Sequence, residues 1–363
     1  MTVEASCVIA RRLARQRLLG ALHKSPAEAV ASLGAVQSQD YPGAKWAVGQ
    51  RVAKATDASI EAAFNRGDIV RVHALRPTWH FVAPADLRWI QALTGPRVQR
   101  ILAVYDRKLG LDDKTLAKAF RLLERALRDR SFKTRAELAA ALKAGGISAA
   151  GQTLAHIMGH AELTALACSG PQRGKLATYA LVEEWVPPAK SLTRDEALAE
   201  LTRRYFTSHG PATVKDFVWW SGLTVKDTRA GLDSIGARSE PVGDLTLWHM
   251  PAPRVKVPSA SGSAHLLPNY DEYLVAYKDR MFVVPPTFKT MVAEQRMDIF
   301  AHFLIVNGRL AGTWRRTIAG DAVKVSVELH RQLSPSDTRS VTAATDRLAG
   351  FLGLTSTLEF VRR

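Results

Sequence analysis

Gln37 and Gln39 stand on either side of Ser38 and directly before Asp40-Tyr41-Pro42. Positions i and i+2 share a face only in extended chain, because on a helix they diverge by about 200°. Pro42 disfavours the α region at Tyr41 and suits the first turn of a helix. The pair is therefore predicted on a short extended segment at a helix N-terminus, with both amides projecting the same way. Such a terminus attracts phosphate. Two neutral carboxamides there can read adenine edges or hold phosphates. As catalysts, their carbonyls could orient a water and stabilise positive charge developing on a sugar, while their NH₂ groups anchor to neighbours. Amides are poor general bases, so this works only with a leaving group that departs readily. On chemistry alone, binding is the favoured use.

Other residues could join them. Asp40 could act as a general base, although a helix-capping carboxylate is the simpler reading. Lys45, on the helix that follows, is expected to contact phosphate, and Trp46 to be core. Trp79 and His80 alternate along a strand, so one faces in and one out. His80 reads as either a structural histidine or a polar wall beside the site. Arg76, at the turn before them, is expected to reach a minor groove or a phosphate. Asp271 and Glu272 are read as strand neighbours on opposite faces, salt-bridged to Lys278, Arg280 or Arg315, with Asp271 the one able to face the site. Arg173 and Lys175 form a basic turn, and Arg315 and Arg316 a basic strand end. His156 and His160 have metal-friendly i, i+4 spacing, but Ile157 replaces the metalloprotease glutamate and no third ligand is evident. No metal and no cofactor are expected.

The elements that must carry these residues repeat. Thr134 to Glu137 and Thr213 to Asp216 read as capping boxes, each followed by an apolar helix, a glycine turn and a second hydroxyl. Ser25 starts a third copy. Each is followed by a hairpin-like segment: Ile69–Val72 with Thr78–Val82, Leu163–Ala167 with Ala177–Val182, and Ala237–Val242 with Leu245–His249. The fold class is thus α+β, with three tandem winged helix-turn-helix units and a C-terminal antiparallel β-rich domain. The boundaries are 1–110, 111–190, 191–255 and 256–363, with a linker over 251–263. Asn307-Gly308 signals a type I′ hairpin, and Ser334 caps a closing helix through Leu352.

The chain has 363 residues, 47% of them hydrophobic and 23% charged, which is ordinary for globular proteins and argues against wholesale disorder. Its net charge of +16 favours a polyanion such as DNA. Two cysteines, Cys7 and Cys168, exclude a disulfide framework. With no apolar leader or spanning run, a cytoplasmic, nucleoid-associated protein is expected, away from membranes.

The run Leu33-Gly34-Ala35-Val36-Gln37-Ser38-Gln39-Asp40-Tyr41-Pro42 resembles the signature of the AlkZ-type bacterial DNA glycosylases. Arg76-Pro77-Thr78-Trp79-His80 resembles it too, as do Leu267-Pro268-Asn269-Tyr270-Asp271-Glu272 and Lys278-Asp279-Arg280. The likeness spans nearly the whole chain. It implies a Gln-x-Gln catalytic element at Gln37 and Gln39, with Ser38 where the family has an aliphatic residue. It implies hydrolysis of N7-alkylated purines from double-stranded DNA; with no coiled-coil or other dimerisation segment evident, a monomer is expected. Unhooking of azinomycin-type interstrand crosslinks, for self-resistance or repair, would follow, through a shallow and open site. A related branch carries Gln-x-Asp, so substrate range is less constrained than chemistry. The competing reading is a non-enzymatic winged-helix regulator that uses the glutamines to read bases.

Overall fold

Hydroxyl caps set where several helices begin. Ser25, Thr134, Thr213 and Thr224 each accept a backbone N–H three residues on, opening Pro26–Leu33, Arg135–Ala144, Val214–Ser221 and Val225–Ile235. Each cap satisfies one orphan helix donor and contributes about 1 kcal/mol. Ser148 is not used this way, since Gly151–Leu163 starts from Ala150 without a side-chain cap.

The computed structural model describes residues 3–251, 258–293 and 301–361 of a mixed α+β chain. A run of three helices followed by an antiparallel strand pair recurs along it. Pro26–Leu33, Tyr41–Gly49 and Asp57–Arg66 precede Val70–Ala74 and Thr78–Val82. Asp113–Leu127, Arg135–Ala144 and Gly151–Leu163 precede Ala167–Arg173 and Leu176–Leu181. Arg194–Ser208, Val214–Ser221 and Val225–Ile235 precede Arg238–Val242 and Leu245–His249. Leu163, expected to open a strand, instead ends a helix. The short strands Val36–Gln37 and Lys133–Thr134 each add to the pair of their own run. In the third run a bridge between Ala212 and Trp248 stands in that place.

The expected linker falls partly on 252–257, outside the described residues. Beyond it lies a five-stranded sheet ordered Thr355–Val361, Ala322–Leu329, Arg309–Ala319, His302–Val306, Ala264–Leu267. Asn307 and Gly308 adopt φ of 55° and 75°, as the two-residue turn requires. The sheet is not wholly antiparallel. Helix Pro335–Leu352 crosses over it, and Thr355–Val361 then pairs parallel with Ala322–Leu329. A helical crossover is what permits a parallel neighbour.

The first helical run is fastened to this sheet. Trp46, 4% exposed, donates its indole N–H to Leu266 O at 2.6 Å, and Trp314 donates to Leu267 O at 2.9 Å. A Cβ on Gly49 would lie 2.4 Å from the Phe351 ring, so only glycine permits this approach. One apolar cluster joins Val30, Trp46, Phe64 and Phe81 to Leu304, Val325, Leu348 and Phe351. Burying each such side chain stabilises the fold by about 1.5–3 kcal/mol. A separate cluster is confined to residues between Leu111 and Leu181.

Candidate active site

Strand alternation carries the site. Gln37 pairs with His80 across Val36–Gln37 and Thr78–Val82, while the Ser38 N–H donates to Trp79 O at 2.7 Å. The strand ends at Gln37, and Gln39 lies in the bend that leads into helix Tyr41–Gly49. Ser38 is fully buried between them, with its Oγ unpartnered. Its carbonyl accepts two N–H groups of Arg71, at 2.9 and 3.1 Å. The Arg71 guanidinium lies 4.4 Å from the centre of the Trp79 ring. That contact fixes the indole at the margin of the site.

The two glutamines differ in freedom. Gln37 is 5% exposed and held at both ends. Its N–H donates to Glu272 Oε1 at 2.8 Å, and its Oε1 accepts Arg76 Nη2 at 3.0 Å. Gln39 is exposed, and its Oε1 accepts the Trp79 N–H at 3.4 Å. The anchoring therefore runs through the amide oxygens, reversing the expectation that NH₂ groups would anchor. Each oxygen keeps a second lone pair.

Behind Gln37 is a buried polar layer. His80 is fully buried, with Nδ1 2.9 Å from Thr78 O and Nε2 unpartnered. Burial, reinforced by the Arg76 charge, pushes its pKa down to about 3, so the ring is neutral. His80 thus stands beside Gln37 as its cross-strand partner, closed off from solvent. Trp79 is the partly exposed member of the alternating pair, with its ring 4.3 Å from that of His73. Glu162 accepts both the N–H and Nδ1 of His73, tying this strand pair to helix Gly151–Leu163.

Asp40 occupies the N-cap of helix Tyr41–Gly49 but makes no side-chain capping bond. A Cβ on Gly43 would come within 2.5 Å of its Oδ2 and 3.1 Å of Pro268, so a larger residue there would displace the Asp40 carboxylate. Asp40 and Arg316 act with opposite sign on His302, whose pKa burial lowers. The basic strand end of the last sheet therefore sits within electrostatic range of the glutamine loop. Arg315 is exposed, and the hairpin continues past it to Gly320.

Three expectations need correction. Lys45 is buried and bonded to Asp57 and Glu61, both at 2.7 Å, so it is neutralised rather than offered to phosphate. Asp271 and Glu272 begin a helical turn, Glu272–Val275, instead of sharing a strand. Asp271 is fully buried against Arg51 through two 2.8 Å bonds, and Glu272 is the one that touches the glutamine segment. Arg76 is drawn onto Gln37 and lies 5.4 Å from the Trp219 ring, leaving it a part of the site more than a free turn contact. Arg173 is exposed but paired with Glu137, and Lys175 is exposed.

Arg71 and Trp219 carried no sequence signal beyond their residue type. His156 and His160 do have a third partner, Asp106, at 2.7 and 2.9 Å from their ring nitrogens. The three could hold a metal ion, although the two hydrogen bonds already satisfy the carboxylate.

A family model described as DNA glycosylase AlkZ-like matches residues 30–351. Among solved structures, the Streptomyces sahachiroi DNA glycosylase AlkZ superposes with a TM-score of 0.82 at 20% identity, covering 100% of both chains. No curated protein matches.

Proposed function

This chain belongs to the AlkZ-like DNA glycosylase family, and on that footing we propose that it hydrolyses the glycosidic bond of N7-alkylated purines in duplex DNA. It is an enzyme, which sets the regulator reading aside. The observation that supports the proposal is the Gln37–Gln39 segment before a helix N-terminus: two carboxamides, one buried and held by Arg76 and one exposed.

N7-alkylation places positive charge on the purine, so no general acid is needed. The C1′–N9 bond breaks with its electron pair passing to the purine, which leaves neutral. A water oxygen bonds to C1′, and its proton passes to solvent. We assign Gln37, its rotamer set by Arg76, to positioning the water. Gln39, exposed and loosely held, contacts the sugar as it becomes cationic. Neither amide must remove a proton before the bond has largely broken.

An N7–N7 bridge between strands cannot be fully extruded as a single base can. The exposure of Gln39 suits a target that stays partly outside, and cleavage on each side would unhook the crosslink. We assign each three-helix run and its strand pair to a winged-helix unit, over 1–110, 111–190 and 191–255, with 256–363 as the β-rich domain. These form a monomeric cradle for DNA, with Arg173, Lys175, Arg315 and Arg316 on phosphates. Self-resistance and repair at the nucleoid both fit this activity. No described helix is long and apolar enough to cross a membrane.

The test incubates a duplex holding one N7-methylguanine, and a second bridged through two guanine N7 atoms, with the protein. Abasic sites are scored by strand breakage in mild alkali. Release from both supports the full proposal. Release from the methylated duplex alone removes the unhooking role, and release from neither overturns the substrate assignment.

A further inference from the structure

Asp271 and Glu272 are adjacent, equally buried carboxylates that the fold treats in opposite ways. Asp271 receives the fork of Arg51, a bidentate ion pair. Glu272 is 1% exposed and accepts only from neutral donors, the Gln37 N–H at 2.8 Å and the Trp220 indole N–H at 2.9 Å. His209 Nε2 lies 3.4 Å away in ion-pair rather than hydrogen-bond geometry. Burial lowers the pKa of that histidine, and the neighbouring Glu272 carboxylate acts against this. Among the described residues, no lysine or arginine forms an ion pair with Glu272.

A buried carboxylate with no lysine or arginine in direct ion-pair contact is costly, and such groups concentrate at functional sites. Burial alone would raise the pKa of Glu272. The His209 ring and the Gln37 N–H more than offset this, so its pKa is lowered and the group is ionised. Its charge therefore lies one hydrogen bond behind the glutamine pair. Arg76 brings positive charge to the same glutamine, which would oppose a cationic sugar.

Resting on the glycosylase reading above, we infer that Glu272 is a positioning residue for the reaction, holding the Gln37 main chain and supplying the negative potential that favours a cationic sugar. It touches neither water nor DNA. Its effect is electrostatic, carried through a dry layer where charges are weakly screened.

The test compares wild type with Glu272→Gln, which keeps an acceptor for the Gln37 N–H and removes the charge. Affinity is measured for duplexes carrying a pyrrolidine abasic analogue, cationic at neutral pH, and a neutral tetrahydrofuran analogue. Wild type should prefer the cation. Glu272→Gln should lose that preference, bind the neutral analogue as before, and excise about 10- to 100-fold more slowly. If Glu272→Gln does not fold, Glu272→Asp serves instead: it should excise slowly yet still prefer the cation, and loss of the preference there overturns the inference. A Glu272→Gln protein with wild-type excision and an intact preference also overturns it. Wild-type protein that releases no base overturns the substrate reading as well, so the two failures are distinguishable.

Discussion

The backbone N–H of Gln37 donates to the carboxylate of Glu272, 2.8 Å away and 235 residues further along the chain. The first helical run thus takes the position of its glutamine segment from the final third of the protein. Trp46 braces the same junction by donating to the carbonyl of Leu266. The candidate site exists only when both parts are docked.

Arg76 should matter for rate more than for affinity. Arg76→Met keeps the length of the side chain but removes the donor that orients the Gln37 amide. Single-turnover excision should fall by about tenfold, the scale of one lost orienting contact. A phosphate contact would behave differently: excision from bound complex would persist, and the salt dependence of binding would weaken by about one ion.

Lys45 and Arg316 make a contrasting pair of cations. Lys45→Met should leave the salt dependence of DNA binding unchanged, because Asp57 and Glu61 already hold the ammonium. It should lower stability by about 1 kcal/mol, a modest figure because both carboxylates are about a third exposed. Arg315→Ala and Arg316→Ala should each reduce the slope of log affinity against log salt by about 1. Equal salt slopes for wild type and all three variants would remove the basic strand end from the DNA interface.

Ser38→Ala should stabilise the protein by about 1 kcal/mol, since the serine Oγ is buried without a partner. Excision should be unchanged, because the Ser38 side chain is fully buried and makes no hydrogen bond to either glutamine. Thermal melting and single-turnover rates check both halves. Slower excision by a stable Ser38→Ala protein would give the hydroxyl a role.

Local signals made much of this legible from sequence. Asn307-Gly308 and the Thr134 and Thr213 capping boxes depend on neighbours within a few residues. What failed depends on distant partners. Nothing near Lys45 marks Asp57 and Glu61 as the carboxylates on its own face, and Asp271 finds Arg51 from 220 residues away. Asp106 completes the histidine pair from another helix, 50 residues before His156. The parallel pairing of Thr355–Val361 follows from a crossover whose direction no local pattern encodes. Alternation put one of Trp79 and His80 inside; that it is His80, and that its ring is neutral, needed the buried layer around it.

Acid should destabilise the fold without a titration of catalysis near neutrality. His80 and His265 are both buried and pushed down to about 3, against about 6.5 in the unfolded chain. Below about 6.5 the unfolded state binds protons that the folded state refuses, so stability falls as pH drops toward 3 and is steady above 7. The loss approaches about 1.4 kcal/mol per pH unit for each histidine. Melting temperature measured between pH 4 and 8 should follow this course, less steeply for His265→Gln. Excision should show no step between pH 6 and 8. A melting temperature independent of pH below 6 would contradict the buried, neutral assignment.

The most direct measurement is single-turnover release of N7-methylguanine from duplex DNA by wild type, Gln37→Ala and Gln39→Ala, with DNA affinity measured in parallel. Each alanine variant should bind DNA as wild type does and release base about 100-fold more slowly, the scale of a lost charge-stabilising amide. Release by both variants at the wild-type rate would show that the chemistry belongs to other residues.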